Sequence, residues 1–284
     1  MKKNNNPWFF NCFFSGRELS EFLIEHNIHL YFIEGVDGVG KTSLLNDTGV
    51  QFTHFPTEQC LKIKNPSPFD YARDIVSTVD QQIKEAGKAH IETEKYHGDW
   101  HGAYLYFDRG FMSTLAYSPP IIREYVTTHD PSNYYEYDSW ELGQDDVFMN
   151  AVERMMKEYI KDPTDLWFTR VWSQFISGLL QCPLVHIIYL PSYDSHGLVE
   201  RIKQRALPED MATIDQVGEN TFQQQLEERL ESYDFMRLLF STLPMVLHRR
   251  DTDDPWVDEN KRLFYSAAQF KEVLDTTGVR IIRV

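Results

Sequence analysis

Residues Gly35-Val36-Asp37-Gly38-Val39-Gly40-Lys41-Thr42 fit the pattern G-x-x-x-x-G-K-[ST], the spacing of a loop that turns its backbone N–H groups around nucleotide phosphates. Each residue type has a chemical reason to be there. The glycines permit the tight turn, and the loop amides with the N-terminus of a following helix supply positive potential for an anion. The Lys41 ammonium would reach the β- and γ-phosphates, and the Thr42 hydroxyl would hold Mg²⁺. The expected cofactor-binding set is therefore Gly35, Gly38, Val39, Gly40, Lys41, Thr42 and Ser43.

A second pair, Asp108-Arg109, follows the apolar run Tyr104-Leu105-Tyr106-Phe107. A carboxylate at a strand end can orient Mg²⁺ or its waters, or accept a proton from an attacking hydroxyl. The adjacent guanidinium is a planar fork suited to two phosphate oxygens. Thr42 and Asp108 are the metal candidates, and Lys41, Asp108 and Arg109 the first catalytic candidates. A third group, Arg201-Ile202-Lys203-Gln204-Arg205, places Arg201 and Arg205 on one helix face. Arg229 and Tyr233 have the same spacing, and packing in the core or on the surface explains them as well as a place in the site does.

These residues need a scaffold. The apolar run His29–Glu34 reads as a buried strand before the loop, and Ser43-Leu44-Leu45 as the first turn of a helix that ends at Asp47-Thr48-Gly49. A helix is predicted around Arg17–Ile24, a second strand at Val50–Phe55 stopped by Pro56, and a helix over Phe69–Ala86 closed by Gly87. Lys88–Gly102 then reads as a loop. Within it, His97 and His101 have no matched ligand pair elsewhere, and no zinc is expected. Tyr104–Phe107 is a third strand, and two helices are expected around Gln144–Lys161 and Leu166–Leu180, with Trp167, Trp172 and Phe175 as core. A strand at Leu184–Leu190, helices at Ser195–Arg205 and Phe222–Ser241 and a last strand at Val279–Ile282 complete the pattern. Alternating strands and helices imply an α/β fold: an open, mostly parallel five-stranded sheet with helices on both faces. Ligands in such sheets bind beyond the carboxyl ends of the strands. That rule gathers the loop after Glu34, the segment Pro56-Thr57-Glu58 and Asp108-Arg109.

Composition limits the partners. The 284 residues carry a net charge of −15, which argues against a duplex nucleic-acid surface. An acidic chain that binds an anion must gather its few cations in the site. Cys12, Cys60 and Cys182 form no metal pattern or disulfide framework, so a reducing, cytoplasmic location is expected. The segment Pro7–Phe14 imitates a signal peptide, but it is short, is interrupted by Asn11 and lacks a cleavage site. No run approaches membrane-spanning length, and no membrane partner is expected.

Phe32-Ile33-Glu34-Gly35-Val36-Asp37-Gly38-Val39-Gly40-Lys41-Thr42 resembles the opening of thymidylate kinases, I-E-G-x-D-G-x-G-K-[ST]. Asp108-Arg109-Gly110-Phe111-Met112-Ser113-Thr114-Leu115-Ala116-Tyr117-Ser118 resembles their D-R-Y-x-x-S-x-x-A-Y segment, and Phe55-Pro56 resembles their acceptor-phosphate turn. The resemblance is strong over some thirty residues and architectural elsewhere. It implies a single P-loop kinase domain over 1–284, with an N-terminal extension at 1–28, a helical insertion at 119–181 and a lid region at 201–221.

The resemblance also implies roles. Asp37 would bond the 3′-hydroxyl of the acceptor deoxyribose and contribute to the metal shell. Arg109 would clamp the acceptor phosphate, with Pro56 in the acceptor turn. Ser113 and Thr114 would line the acceptor pocket, and Tyr117 would pack beneath the sugar and exclude a 2′-hydroxyl. Arg201 and Arg205 would neutralise the transferring phosphoryl group from the lid. Phe69 and Arg73 are the candidates for stacking on and reading the base. Gly110 departs from the family's aromatic, and the 119–181 segment has no counterpart in compact members. Homodimers are common among such kinases and form one expectation.

The activity so implied is transfer of the ATP γ-phosphoryl, with Mg²⁺, to a pyrimidine deoxynucleoside monophosphate, with dTMP the foremost acceptor. A deoxynucleoside kinase acting on a 5′-hydroxyl is the rival, with Glu58 or Asp108 as base. A nucleotide-dependent switch or ATP-binding regulatory module is the rival of another class. Against a GTPase, the base-reading N-K-x-D is absent.

Overall fold

The computed structural model describes residues 16–116 apart from 65, 67 and 97, then 175–176, 178–179, 182–247 apart from 191 and 193, and 264–265. The chain divides into two compact units, one of Met1–His29, Phe55–Leu105 and Ser139–Leu184, the other of Leu30–His54, Tyr106–Asp138 and Val185–Val284.

In the first unit, α1 (Gly16–Glu25) buries Leu19 and Leu23 and α4 (Pro68–Lys95) buries Ala72, Ile75, Val76, Val79, Ile83 and Ala86, the spacing of one helix face. Between them in sequence lies the short α3 (Glu58–Leu61), whose preceding Thr57 donates from its amide (2.7 Å) and hydroxyl (2.5 Å) to Asp74 of α4. The expectation that α4 ends at Gly87 is corrected: the helix runs on to Lys95, through much of the segment read as a loop. Gly87 serves close approach instead of termination, because a Cβ there would stand 2.5 Å from the ring of Phe22 on α1. Phe175, Ile176 and Leu179 are helical and buried, in keeping with a core role for Phe175.

The second unit carries most of the sheet. The strands of the sheet are β1 (Ile28–Glu34), β2 (Phe52–His54), β3 (Ala103–Asp108), β4 (Val185–Tyr189) and β5 (Phe264–Tyr265), in the order β2-β3-β1-β4-β5. Pairs β1–β4, β2–β3 and β4–β5 are parallel, and the register sets Glu34 beside Tyr189 and His54 beside Asp108. The expectation of a five-stranded sheet is corrected: among the described residues four strands make up the sheet, and β5 adds only a two-residue pairing along β4. The predicted strand at Val279–Ile282 lies outside the described residues. β1 is almost wholly buried, as a strand covered on both faces must be. Its Tyr31 ring stacks between Tyr106 (4.9 Å) and His186 (4.6 Å), and Phe32 stacks on Phe107 at 5.0 Å.

Helix starts and stops follow local chemistry. α2 (Lys41–Thr48) ends at Gly49, which is left-handed at φ 68°. Before α6 (Ser195–Arg205), the Asp194 carboxylate accepts the Gly197 amide at 2.8 Å. Pro208 opens α7 (Pro208–Val217), where its missing N–H costs nothing. The long α8 (Glu219–Leu247) packs on α5 (Phe111–Ala116), α6 and α7. Among the described residues, no helix is long and apolar enough to cross a membrane.

Candidate functional site

The loop between β1 and α2 closes tightly because Gly35 is a glycine. Its φ is 141°, and a Cβ would meet the Leu190 carbonyl oxygen at 2.7 Å. Gly38 and Gly40 are also at positive φ, and Gly40 caps the N-terminus of α2. The Lys41 side chain folds back under the loop and is buried, its Nζ donating to the carbonyls of Gly35 (2.8 Å) and Val36 (2.9 Å). An ammonium has three donors, so one remains for a ligand. Burial, and then the charge of Arg109, lowers Lys41 to about 8.

β3 delivers Asp108 to the same place. Thr42 donates its hydroxyl to Asp108 Oδ2, and His54 Nδ1 lies 3.0 Å from that oxygen. Asp108 is fully buried, and its other oxygen, Oδ1, has no hydrogen-bond partner among the described residues. Burial alone would push this carboxyl up. The hydrogen bond from His54, the charge of Lys41 and the bond from Thr42 outweigh it and hold Asp108 below its ordinary value. A buried carboxylate oxygen without a partner, beside a threonine hydroxyl, is a hard oxygen donor set of the kind Mg²⁺ takes. Thr42 and Asp108 therefore fit the ion.

Arg109 turns away from the strand at φ 79°, while its amide donates to the Ile33 carbonyl at 2.9 Å. Its guanidinium pairs with Asp37 Oδ1, and Arg229 NH1 of α8 lies 3.9 Å from Asp37 Oδ2. Arg201 donates from Nε to the Gly38 carbonyl at 3.0 Å. Arg205 instead pairs with Asp210 of α7.

Behind these groups lies a buried network. Glu34 Oε1 accepts the Met112 amide at 3.0 Å, Oε2 accepts the Ser113 hydroxyl at 2.6 Å, and Tyr233 OH stands 2.7 Å from Ser113 Oγ. Burial pushes Glu34 up to about 7 against those bonds and the charge of Lys41. Gly110 has its explanation here, since a Cβ would sit 2.5 Å from Phe32 Cδ1 and 3.0 Å from Glu34 Oε1. The wall against Gly110 is thus filled from β1.

Of the residues singled out in the sequence, the second unit brings together Gly35, Asp37, Gly38, Val39, Gly40, Lys41, Thr42, Ser43, Asp108, Arg109 and Arg201. Ser113 and Thr114 are buried on α5, and the Ser113 hydroxyl is engaged by Glu34 and Tyr233. Pro56, Arg73 and the backbone of Phe69 belong to the first unit. Tyr117 lies outside the described residues. Sequence reasoning missed Glu34 and His54. Glu34 left one signal, a carboxylate closing an otherwise apolar strand; the role of His54 depends on its register with Asp108.

Comparison of the chain with family models, with curated proteins and with solved structures gave no match.

Proposed function

We propose that this chain is a nucleoside monophosphate kinase of P-loop type, which transfers the γ-phosphoryl of ATP to a pyrimidine deoxynucleoside monophosphate, with dTMP as the acceptor. The observation that carries the reading is the meeting of Lys41, Thr42, Asp108 and Arg109 at the carboxyl ends of β1 and β3. A chance Gly-rich turn would have no reason to gather them.

In this reading the loop amides and Lys41 hold the donor phosphates. Thr42 and Asp108 would hold Mg²⁺, which would supply charge neutralisation at the donor phosphates. An oxygen of the acceptor monophosphate forms the new bond to the γ-phosphorus as the bond to the β,γ-bridging oxygen breaks, and ADP leaves. The attacking oxygen is already anionic, so no strong general base is needed. Catalysis is then positioning and charge neutralisation by Lys41, Arg109 and Arg201. Glu34, buried and bonded to the backbone of α5, keeps the turn after Asp108 in place and takes no proton from substrate.

A coupled assay of ATP consumption with dTMP, dUMP, thymidine and no acceptor tests this reading. Turnover with dTMP supports it; consumption indifferent to every acceptor favours a nucleotide-dependent switch.

A further inference from the structure

We propose that Arg229 is a second cationic ligand of the acceptor phosphate, forming with Arg109 a two-guanidinium clamp that selects a phosphate monoester over a neutral nucleoside. The inference rests on the kinase reading and extends it to a residue outside the two motifs.

Two guanidiniums from different elements converge on one carboxylate. Arg109, at the end of β3, pairs with Asp37 Oδ1, and Arg229, on α8, stands 3.9 Å from Oδ2. All three side chains keep part of their surface, at 20%, 22% and 17% exposure, so the cluster is shielded yet reachable. Arg229 is also held in place. One helical turn further on, Tyr233 is fully buried with its hydroxyl against Ser113 and within 3.4 Å of Glu34, which fixes the face that α8 turns to β1 and α5.

Charge decides what such a cluster binds. Two guanidiniums share the Asp37 carboxylate, and the Lys41 ammonium of the adjacent loop lies within electrostatic range of Arg109, Asp37 and Asp108. A phosphate monoester carries a charge of about −1.5 to −2 at neutral pH and offers three acceptor oxygens, enough for both forks at once. A 5′-hydroxyl is neutral and gains little from a second cation. Asp37 engages both forks in the structure as it stands. Their transfer to a phosphate would release its carboxylate toward other donors, including a sugar hydroxyl.

The test is steady-state kinetics and direct binding with Arg229→Gln and Arg229→Lys. With Arg229→Gln, the KM for dTMP should rise about tenfold or more, the size of one lost charge-assisted hydrogen bond. The KM for ATP should stay within about twofold, and thymidine binding, where measurable, should not change. Arg229→Lys should recover part of the loss, which a packing role would not. An unchanged KM for dTMP in Arg229→Gln, or an equal rise for ATP, overturns the clamp. Calorimetric binding of dTMP without ATP separates the clamp from the kinase reading. Wild-type binding that weakens in Arg229→Gln, in a protein that transfers no phosphoryl group, supports the clamp and overturns the kinase. A wild-type chain that does not bind dTMP overturns both.

Discussion

The hydroxyl of Thr42 donates to Asp108 Oδ2 across 66 residues of sequence, so the last residue of the phosphate-loop motif and the last residue of β3 share one oxygen. The contact leaves Asp108 Oδ1 buried and without a hydrogen-bond partner among the described residues. It makes the strand end part of the loop's chemistry.

Asp108→Asn keeps the shape of the side chain and removes its charge. The expected outcome is a fall in turnover of about 10²–10³ and a higher Mg²⁺ concentration for half-maximal rate. Titrating activity with Mg²⁺ checks both, and an unaltered Mg²⁺ profile would remove Asp108 from the metal site.

Lys41 serves the donor phosphates only while protonated. Because burial and Arg109 lower it to about 8, the kcat/KM for ATP is expected to fall as pH rises through about 8. A lysine at the usual value would hold that limb off to about 10.4. A profile flat to pH 10 would contradict the buried, partly neutralised lysine.

Glu34 gives stability the opposite slope to that of most carboxylates. Its value is about 7 in the folded chain against 4.5 ordinarily, so between those limits the folded state binds more protons than the unfolded one. Its contribution is fully present below 4.5 and is lost as pH rises through 7. Glu34→Gln should flatten that decline. Urea midpoints of the two proteins at pH 5 and pH 8 make the comparison, and parallel curves would mean that Glu34 is not buried as described.

Gly110→Ala would force a methyl group against Phe32 Cδ1 and Glu34 Oε1. The ring is fully buried between Phe107 and Phe111 and has little room to shift. The expected loss is about 1–3 kcal/mol of folding stability, read as a lowered denaturation midpoint, and a midpoint equal to wild type would deny the close approach.

Much of this was legible because it is written locally. The glycine turn after β1, the buried β1 itself, the bounds of α6 and the stop at Gly49 each follow from neighbouring residues. What was not legible is held by distant partners. Gly87 looked like a helix end because the Phe22 ring that accounts for it lies on another helix. His54 joins the site only through its register with Asp108. The i, i+4 pair Arg229 and Tyr233 fitted the site and plain packing equally well, because the approach of Arg229 to Asp37 is made across the fold. Gly110 departed from the resembled family for a reason carried by β1, which no motif around Asp108 contains. Arg205, paired with the helix face of Arg201 by spacing, turns instead to Asp210.

The most direct test is the rate of ADP formation from ATP·Mg²⁺ by the wild-type chain across dTMP, dUMP, thymidine and no acceptor. The kinase reading expects ADP formation to depend on a deoxynucleoside monophosphate, with dTMP best and thymidine giving little above the rate without acceptor. Turnover with thymidine but not with dTMP, or a rate unmoved by any acceptor, would contradict it.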